Sequence, residues 1–407
     1  MAQVQNVITF NELFSESTNH FLTPFNEIVK PSIHSGMELT FELTQKDRKK
    51  KISPILRLAR PKDAEDVVSV YLDIYRGDYP YKEMEDVEKV SKMIESDEYK
   101  FLMFLDRDRT IVGCFTYQLD FEKHRGYMRG FNIKRQYQGY IDAVKACIGS
   151  MVGMWNEYNE DIAMWYCENR TAHSKSQYIA QVCGIKPVAF FPCKDIFMGK
   201  IESDLMQIVY NKETLQEKRS KRIPHILPQV LPCFSYSDKR YNLGKVKMES
   251  PQLRLDYTEI FRLNYDLILS NQEDKFGYIK YKFTFPKSDS YFSFLYTPNV
   301  NNFEKVKYHV DSLEEFQVFT SRFTQLAIDL DVRYCEIFIS AYNSSHQKII
   351  LDDGFKPRGY VPSWEYNHLT DEYEDHIVFN SFKGEIDQKL KLIEEGEDLI
   401  HHLKLAI

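Results

Sequence analysis

The chain lacks the features that mark nucleic-acid-binding, disulfide-stabilised and membrane-spanning proteins. Its 407 residues have a formal net charge of −7, whereas a general nucleic-acid binder normally carries a surplus of Lys and Arg. Its 7 cysteines are scattered without a CxxC pair, which argues against a disulfide framework and a zinc site. No stretch reaches the roughly 18 apolar residues of a membrane span. The first residues also lack the basic and long apolar segments of a secretory signal.

These absences predict a cytoplasmic protein with reduced thiols, no metal, and neither a nucleic-acid nor a membrane partner. Two basic runs, Lys46–Lys51 and Lys218–Arg222, depart from the acidic balance. Short runs of this kind are more typical of solvated linkers than of phosphate-binding patches. The hydrophobic content of 43% is enough for more than one core, so a chain of this length is expected to form two or three domains.

What the chain does contain is a segment that occurs twice. The first copy has Tyr-Cys-Glu at 166–168 and Gly184 followed closely by Lys-Pro, and the second has Tyr-Cys-Glu at 334–336 and Gly354 followed by Lys-Pro. In both copies a Gln stands seven positions before the glycine. The two glycines lie 170 positions apart, which is too long for a solenoid unit and suits a duplicated domain.

The pattern divides the chain into five parts. We expect an N-terminal extension, a first folded copy, a charged and proline-containing linker, a fainter second copy, and a C-terminal helix that docks on the core. Dimerisation through that helix is the alternative. The predicted parts are residues 1–52, 53–211, 212–250, 251–382 and 383–407.

The first copy predicts a mixed α/β sheet. An alternating strand begins at Ile55, and helices follow from about Pro61 and Met84. Three strands, a helix, a strand, a helix and the last strands complete the order. A mixture of hairpins and strand-helix-strand units of this kind is typical of a mixed sheet with helices packed on it.

The turn after the third of these strands is the best candidate for a ligand site. Gly139 stands where a strand gives way to a helix, so the backbone can approach a ligand and the helix start favours an anion such as a diphosphate. The segment Gln136-Tyr137-Gln138-Gly139-Tyr140-Ile141 resembles the pyrophosphate loop of the GNAT acyltransferase superfamily, Gln/Arg-x-x-Gly-x-Gly/Ala, with Ile141 in place of the last small residue.

Other motifs of that superfamily stand in the same order. The helix start around Arg57 to Ala64, the strand Ile111-Val112-Gly113, and the corners Gly184-Ile185 and Gly354-Phe355 each resemble it. The resemblance implies two tandem GNAT-like domains and acetyl-coenzyme A, or another acyl-coenzyme A, as cofactor. The cofactor contacts that it implies are Phe131, Asn132, Ile133, Gln136, Tyr137, Gln138, Gly139, Tyr140, Ile141 and Asn169.

The corresponding turn of the second copy differs in charge. It lies near His309 to Glu315, contains no glycine, and carries Asp311, Glu314 and Glu315. Three carboxylates at a helix start would repel a diphosphate. The second copy is therefore expected to be degenerate, and the chain is expected to bind one cofactor.

Catalytic residues are harder to choose. The strand before the loop, Gly126 to Ile133, holds no carboxylate where many members of the superfamily carry a glutamate as base. The nearest candidates are Glu122, His124 and Glu168, although Glu168 has a counterpart, Glu336, in the degenerate copy. The superfamily's usual tyrosine acid is replaced here by Ala180.

The acceptor site of this superfamily forms between the first two helices. Here the connection holds Asp78, Tyr79, Tyr81 and Glu83, whose carboxylates and rings suit a cationic amine. Tyrosines packed in an ordinary helix-helix turn are the alternative. The resemblance implies an acyl-coenzyme A-dependent N-acyltransferase, most simply an N-acetyltransferase acting on a primary amine of a small molecule or protein. A non-catalytic acyl-coenzyme A sensor, or an aminoacyl transferase using transfer RNA, are the rival interpretations.

Overall fold

The computed structural model describes residues 6–9, 40–43, 51, 54–274 and 276–404. The first two strands, β1 (Asn6–Thr9) and β2 (Thr40–Leu43), pair with each other in antiparallel fashion. Most of the predicted N-terminal extension therefore lies outside the described residues. The rest of the chain forms a mixed α/β structure around one large sheet, in agreement with the predicted fold class.

The first half, residues 54–210, has the predicted order of elements. A single strand precedes two helices, three strands follow, and helices then alternate with the remaining strands. The elements are β3 (Ile55–Leu58), α1 (Ala64–Tyr75), α2 (Val87–Glu95), β4 (Tyr99–Leu105), β5 (Ile111–Asp120), β6 (Arg125–Ile133), α3 (Ala143–Tyr158), β7 (Met164–Arg170), α4 (Lys175–Val182), β8 (Lys186–Phe197) and β9 (Lys200–Tyr210).

The second half begins with a helix and then a hairpin, so it lacks the two helices that follow the first strand of the first half. A connector precedes it and a tail follows it. The elements are α5 (Lys212–Gln216), β10 (His225–Ile226), α6 (Leu231–Tyr241), β11 (Lys247–Met248), α7 (Tyr257–Asp266), β12 (Ile268–Glu273), β13 (Ile279–Thr284), β14 (Tyr291–Thr297), β15 (Asn302–His309), α8 (Leu313–Asp329), β16 (Tyr334–Ser340), α9 (Ser344–Asp352), β17 (Lys356–Asn367), β18 (Glu372–Phe382) and α10 (Glu394–His402).

One sheet of 14 strands runs through both halves. Its order is β12-β13-β14-β15-β16-β18-β17-β8-β9-β7-β6-β5-β4-β3. Counted from either outer edge, the strands follow the chain until the last two of each half change places. In each half the fourth and fifth strands, β6 with β7 and β15 with β16, pair in parallel. The shared order agrees with a duplicated domain, and the duplication itself stays a prediction.

The halves meet where β8 and β17 pair. The register joins Gly359 to Ala189, and a Cβ added at Gly359 would lie 2.3 Å from the Cβ of Ala189 and 2.6 Å from the carbonyl oxygen of Val188. The two backbones are therefore too close for a side chain at residue 359. Apolar residues from both strands, including Val361 and Phe191, share one buried cluster across this seam.

The segment expected as a linker is folded. Ile226, Leu227, Val230 and Phe234 are buried in the core of the second half together with strands β13 to β16. Its prolines begin short helical turns, at Pro228 for example, rather than interrupting structure. Only Glu394–His402 of the predicted C-terminal helix is helical, and it packs on the first half through Leu399 and Ile400, as the docking interpretation predicts.

Among the residues that the structure describes, no helix combines the length and the apolar character that crossing a membrane requires.

Candidate functional site

Strands β6 and β7 separate towards their carboxyl ends. Their parallel pairing covers only Arg125 to Met128 of β6. Beyond it, β6 shifts register against β5, and Gly130 adopts a φ of 63°. A Cβ at Gly130 would lie 1.8 Å from the hydroxyl oxygen of Tyr71 on α1, so only glycine fits this bulge. The result is a gap in the sheet in front of the residues that the sequence assigned to the cofactor.

The loop that follows β6 has the backbone freedom expected of it. Gly139 has a φ of 89°, and a Cβ placed there would meet no heavy atom within 4 Å. The neighbouring side chains differ in their surroundings, because Tyr140 is 67% exposed whereas Ile141 is 2% exposed and packs in the core against α3. The N–H of Ile141 donates to the carbonyl oxygen of Tyr137, so this position serves the turn.

The start of α3 carries its own anion. The carboxylate of Asp142 accepts a hydrogen bond from the N–H of Lys145, which caps the helix. A diphosphate would therefore meet the loop itself rather than an uncapped helix terminus. Lys134, Arg135 and Lys145 flank the loop, and the N–H of Arg135 donates to the carboxylate of Asp73. The guanidinium of Arg135 donates to the carbonyl oxygen of Ile74, and Lys145 lies 4.0 Å from Asp142.

In the equivalent turn of the second half, side chains of the protein itself occupy backbone N–H donors. One oxygen of Glu315 accepts from the N–H of Asp311 at 2.9 Å, from the N–H of Ser312 at 3.2 Å and from the hydroxyl of Ser290 at 2.7 Å. The hydroxyl of Ser312 in turn accepts from the N–H of Glu315. This capping box occupies the donors that an anionic ligand would need.

A cavity of about 890 Å³ lies between the halves, on the face of the sheet that carries α1 and α2. The lining comes from β5, β6 and β7 of the first half and from β14, β15, β16 and the β17–β18 hairpin of the second. Nine acidic side chains and six Lys or Arg side chains face it, together with eight tyrosines. Its surplus of acid and of aromatic rings suits a cationic ligand.

The repeated glutamates meet at one lysine in this cavity. The Nζ of Lys194, on β8, lies 2.9 Å from an oxygen of Glu168 and 3.0 Å from an oxygen of Glu336. Tyr334 also donates to Glu336. Burial lowers the pKa of Lys194, but the surrounding carboxylates outweigh it and raise that pKa above its usual range. Glu168 thus lies in the cavity, in a lysine pair that it shares with its counterpart.

The predicted acceptor residues are divided by the fold. Glu83 is 2% exposed, pairs with Arg129 at 3.2 Å and accepts a hydrogen bond from Tyr278 of the second half. Tyr81 also lines the cavity, but Asp78 is exposed, and Tyr79 packs inside against aromatic rings of α1. The structure thus divides these residues between cavity lining and core packing, and their role in binding an acceptor stays a prediction.

Of the other two catalytic candidates, Glu122 lines the cavity and His124 lies beside the lining residue Tyr366. Glu122 is exposed and forms a 3.6 Å ion pair with Lys307 of the second half. The Nδ1 atom of His124 lies 2.9 Å from the hydroxyl oxygen of Tyr373, and its ring stacks on Tyr366. Burial, followed by the charge of a neighbouring histidine, lowers the pKa of His124. These residues therefore serve contacts between the halves and do not join Glu168.

Two asparagines from the cofactor prediction have different partners. Asn132 is 4% exposed and accepts a hydrogen bond from Tyr75 of α1, close to the gap between β6 and β7. Asn169 turns to the opposite face of the sheet, where its amide donates to Gln207 at 2.8 Å. Phe131 and Ile133 also pack their side chains in the core, so only their backbone groups face the gap.

Sequence reasoning missed several cavity residues because their signals are tertiary. Lys194 and Asp195, the latter behind the cavity wall, sit in an aromatic strand that resembles core, and Arg129 stands in a strand whose other charge is Arg125. Glu304 lies in the half judged degenerate. The one available hint was that Lys194 and Asp195 are adjacent charges in an otherwise apolar run.

No protein-family model matches the chain, and no curated protein matches it. Solved structures do. Spermidine N-acetyltransferase from Vibrio cholerae matches at 11% identity over 39% of this chain and 95% of its own, with a TM-score of 0.34. Ribosomal-protein-S5-alanine acetyltransferase from Vibrio fischeri matches at 15% identity over 39% and 93%, also with a TM-score of 0.34. These scores are too low to carry a functional argument.

Proposed function

We propose that the protein is an acyl-coenzyme A-dependent N-acyltransferase that binds its cofactor in the first half and its acceptor amine in the cavity between the halves. The observation that carries the proposal is the contrast between the two loops. The loop after β6 follows a gap in the sheet and has open space around Gly139. The equivalent loop after β15 has no glycine and carries Asp311, Glu314 and Glu315, and Glu315 accepts from the N–H groups of Asp311 and Ser312.

Residues of the first half would hold the cofactor. Lys134, Arg135 and Lys145 flank the loop and would supply positive charge near the phosphate groups of such a ligand, and the backbone of Phe131 to Ile133 would line the path of its pantetheine arm. Bound there, acyl-coenzyme A supplies the acyl group as an activated thioester. Backbone N–H groups at the bulge of β6 would stabilise negative charge on a thioester oxygen.

The cavity would hold the amine. Its surplus of carboxylates favours a cationic acceptor, and Glu83, buried beside Tyr278, joins both halves at the wall nearest α1. The second half then supplies walls of the acceptor site without binding a cofactor of its own. N-Acetyl transfer to a primary amine of a small molecule or protein is the simplest reaction that this arrangement serves.

The first test compares Gly139→Glu with Gly139→Ala. Both variants place a Cβ at a φ of 89°, so they share the backbone strain, and only Glu adds a negative charge beside the loop. Calorimetry with acetyl-coenzyme A should show one site per chain and an affinity at least about tenfold weaker in the Glu variant than in the Ala variant. Two sites in the unaltered protein, or equal affinity in the two variants, would contradict the proposal.

The second test measures release of free thiol from acetyl-coenzyme A with small amines, polyamines and peptides. Thiol release that depends on an added amine supports the transferase. Tight cofactor binding with no release across the panel would instead select a sensor, the rival suggested by the missing carboxylate on β6.

A further inference from the structure

Several carboxylates are buried together at the cavity wall, where Glu304 lines the cavity and the others lie behind it. Asp195 on β8, Asp204 on β9 and Glu304 on β15 are 5%, 1% and 4% exposed. Lys194 lies beside them, and Arg333 holds the backbone of β8 through the carbonyl oxygens of residues 193 and 194. Lys194 is shared between Glu168 and Glu336, and Arg333 donates to backbone carbonyl oxygens, so Asp195 and Asp204 receive little neutralising charge.

Asp204 is the carboxyl group whose surroundings most clearly favour the protonated form. Neither of its carboxylate oxygens has a hydrogen-bond partner within the described part of the chain. Burial, followed by the charges of Asp195 and Glu168, raises the pKa of Asp204 far above its usual range. Asp204 therefore stays protonated. Its neighbour Asp195 can exchange a proton near neutrality. Burial and the neighbouring Glu304 raise the pKa of Asp195 to about 7.

Tyr81 connects Asp195 to the cavity. Its hydroxyl lies 3.3 Å and 3.5 Å from the two carboxylate oxygens of Asp195, and its ring lines the cavity. Burial and the charge of Asp195 raise the pKa of Tyr81, so the hydroxyl remains protonated and donates. Arg129 lies over the same ring at 5.7 Å, which fixes the side chain between the acceptor space and the buried acid.

We propose that Asp195, reached through the hydroxyl of Tyr81, accepts the proton that the acceptor amine loses during acyl transfer. The inference rests on the proposed function. As the amine nitrogen bonds to the acyl carbon and the carbon–sulfur bond breaks, the amine proton passes to the oxygen of Tyr81. The proton of Tyr81 passes to Asp195 in the same event. The bound ammonium gives its first proton to solvent before this step, and the thiolate that leaves takes a proton from solvent. Asp195 then passes its proton back through Tyr81 to water in the cavity.

The surroundings of Asp195 define its titration. Glu304 faces it from β15 and Glu168 from β7, and both raise its pKa. Lys194 on the same strand and Arg333 before β16 lower it. An acid near pH 7 is suited to act as a general base at neutral pH. Because the base must be ionised, the slope of log kcat/KM against pH should fall by about one near pH 7, above which only deprotonation of the acceptor amine continues to raise the rate.

The experiment compares Asp195→Asn, Tyr81→Phe and Asp204→Asn with the unaltered protein. General-base contributions are typically about 10²- to 10⁴-fold, so Asp195→Asn should lose at least about 100-fold in kcat/KM and also lose the inflection near pH 7. Tyr81→Phe should lose activity similarly. Asp204→Asn removes a carboxyl group of the same buried cluster but leaves the contact between Asp195 and Tyr81 in place. It should retain both the rate and the inflection.

Calorimetry with acetyl-coenzyme A separates this inference from the proposed function. All three variants should bind the cofactor as the unaltered protein does. If the unaltered protein neither binds acetyl-coenzyme A nor releases thiol, the proposed function fails. If it is active and Asp195→Asn keeps the inflection, or Asp204→Asn loses as much as Asp195→Asn, the relay alone is wrong. Should Asp195→Asn not fold, the pH profile of Tyr81→Phe decides in the same way.

Discussion

At the scale of single residues, equivalent positions in the two copies carry different side chains with different partners. Lys194 and Trp364 are related by the same offset of 170 positions as the repeated glycines. Lys194 bridges Glu168 and Glu336, whereas Trp364 lies under the guanidinium of Arg125 at 3.9 Å. One copy therefore places a cation between carboxylates, and the other places a ring against a cation. The repeated Tyr-Cys-Glu pieces converge only because the sheet brings both copies to one point.

Loss of Lys194 should destabilise the fold in a pH-dependent manner. Lys194→Met leaves two buried carboxylates without their cation, which costs about 3–5 kcal/mol when a buried pair is broken. Burial raises the pKa of Glu336 from 4.5 to about 7 even with Lys194 present. The folded state thus binds this proton more tightly than the unfolded state, so stability falls as pH rises from about 4.5 to about 7, and the variant should steepen that fall.

Urea unfolding at pH 5 and pH 8 measures this effect. The loss in Lys194→Met should be larger at pH 8, and the added substitution Glu336→Gln should recover part of it. A loss that is equal at both pH values and unaffected by Glu336→Gln would show that packing, and not charge, sets the role of Lys194.

At the scale of elements, the repeated glutamines hold chain segments in place. Gln347 donates to the carbonyl oxygens of Ser340 and His225 and accepts from the N–H of Leu227. Gln177 makes the same three kinds of bond to Arg170, Lys391 and Ile393. Both glutamines are fully buried. The repeated glutamines therefore anchor two segments: Gln347 holds the connector before α6, and Gln177 holds the tail before α10.

Replacing these glutamines should loosen different segments. Gln177→Leu leaves buried backbone groups of residues 391–393 unpaired, at roughly 1–3 kcal/mol for each group. Amide hydrogen exchange should accelerate across 391–402 in this variant and leave 225–241 unchanged. Gln347→Leu is the matched control, because it should reverse the pattern. Equal acceleration of both segments by either variant would contradict the interpretation that each glutamine anchors one segment.

At the scale of the whole molecule, the connector completes the second half and the C-terminal tail completes the first. The connector after the first half places α6 on β17 of the second half, where Ser237 donates to the carbonyl oxygen of Tyr360. The tail after the second half places α10 on the first half, where Leu399 and Ile400 pack against Phe190 and Leu205. The tail therefore crosses from the second half to the first, and together with the seam between β8 and β17 it couples the halves.

A side chain at the seam should separate the halves. Gly359→Ala places a Cβ 2.3 Å from the Cβ of Ala189 and 2.6 Å from the carbonyl oxygen of Val188. Backbone atoms cannot move aside, so β17 must shift and the free energy of unfolding should fall by at least about 1–3 kcal/mol. Adding Ala189→Gly should not restore stability, because the contact with Val188 remains. Full rescue in urea unfolding would show that the seam is limited by side chains alone.

Much of the fold could be predicted from the sequence. The order of strands and helices in residues 54–210 follows from local periodicity and turn residues, and Gly139 was predicted at the turn where the structure has a left-handed residue. The helix predicted near 312–329 is α8. The connector was misjudged, because prolines and charges in 212–250 obscured apolar residues that face the second core.

The sequence by itself determined the elements and the difference in charge between the two loops, since both depend on residues close together in the chain. Only the tertiary structure decided which side chains share the cavity. Lys194, Glu168 and Glu336 come from three strands of two halves, and Tyr81 meets Asp195 across 114 positions of the chain. Such contacts depend on strand order and on the seam at Gly359, and local periodicity carries no information about either.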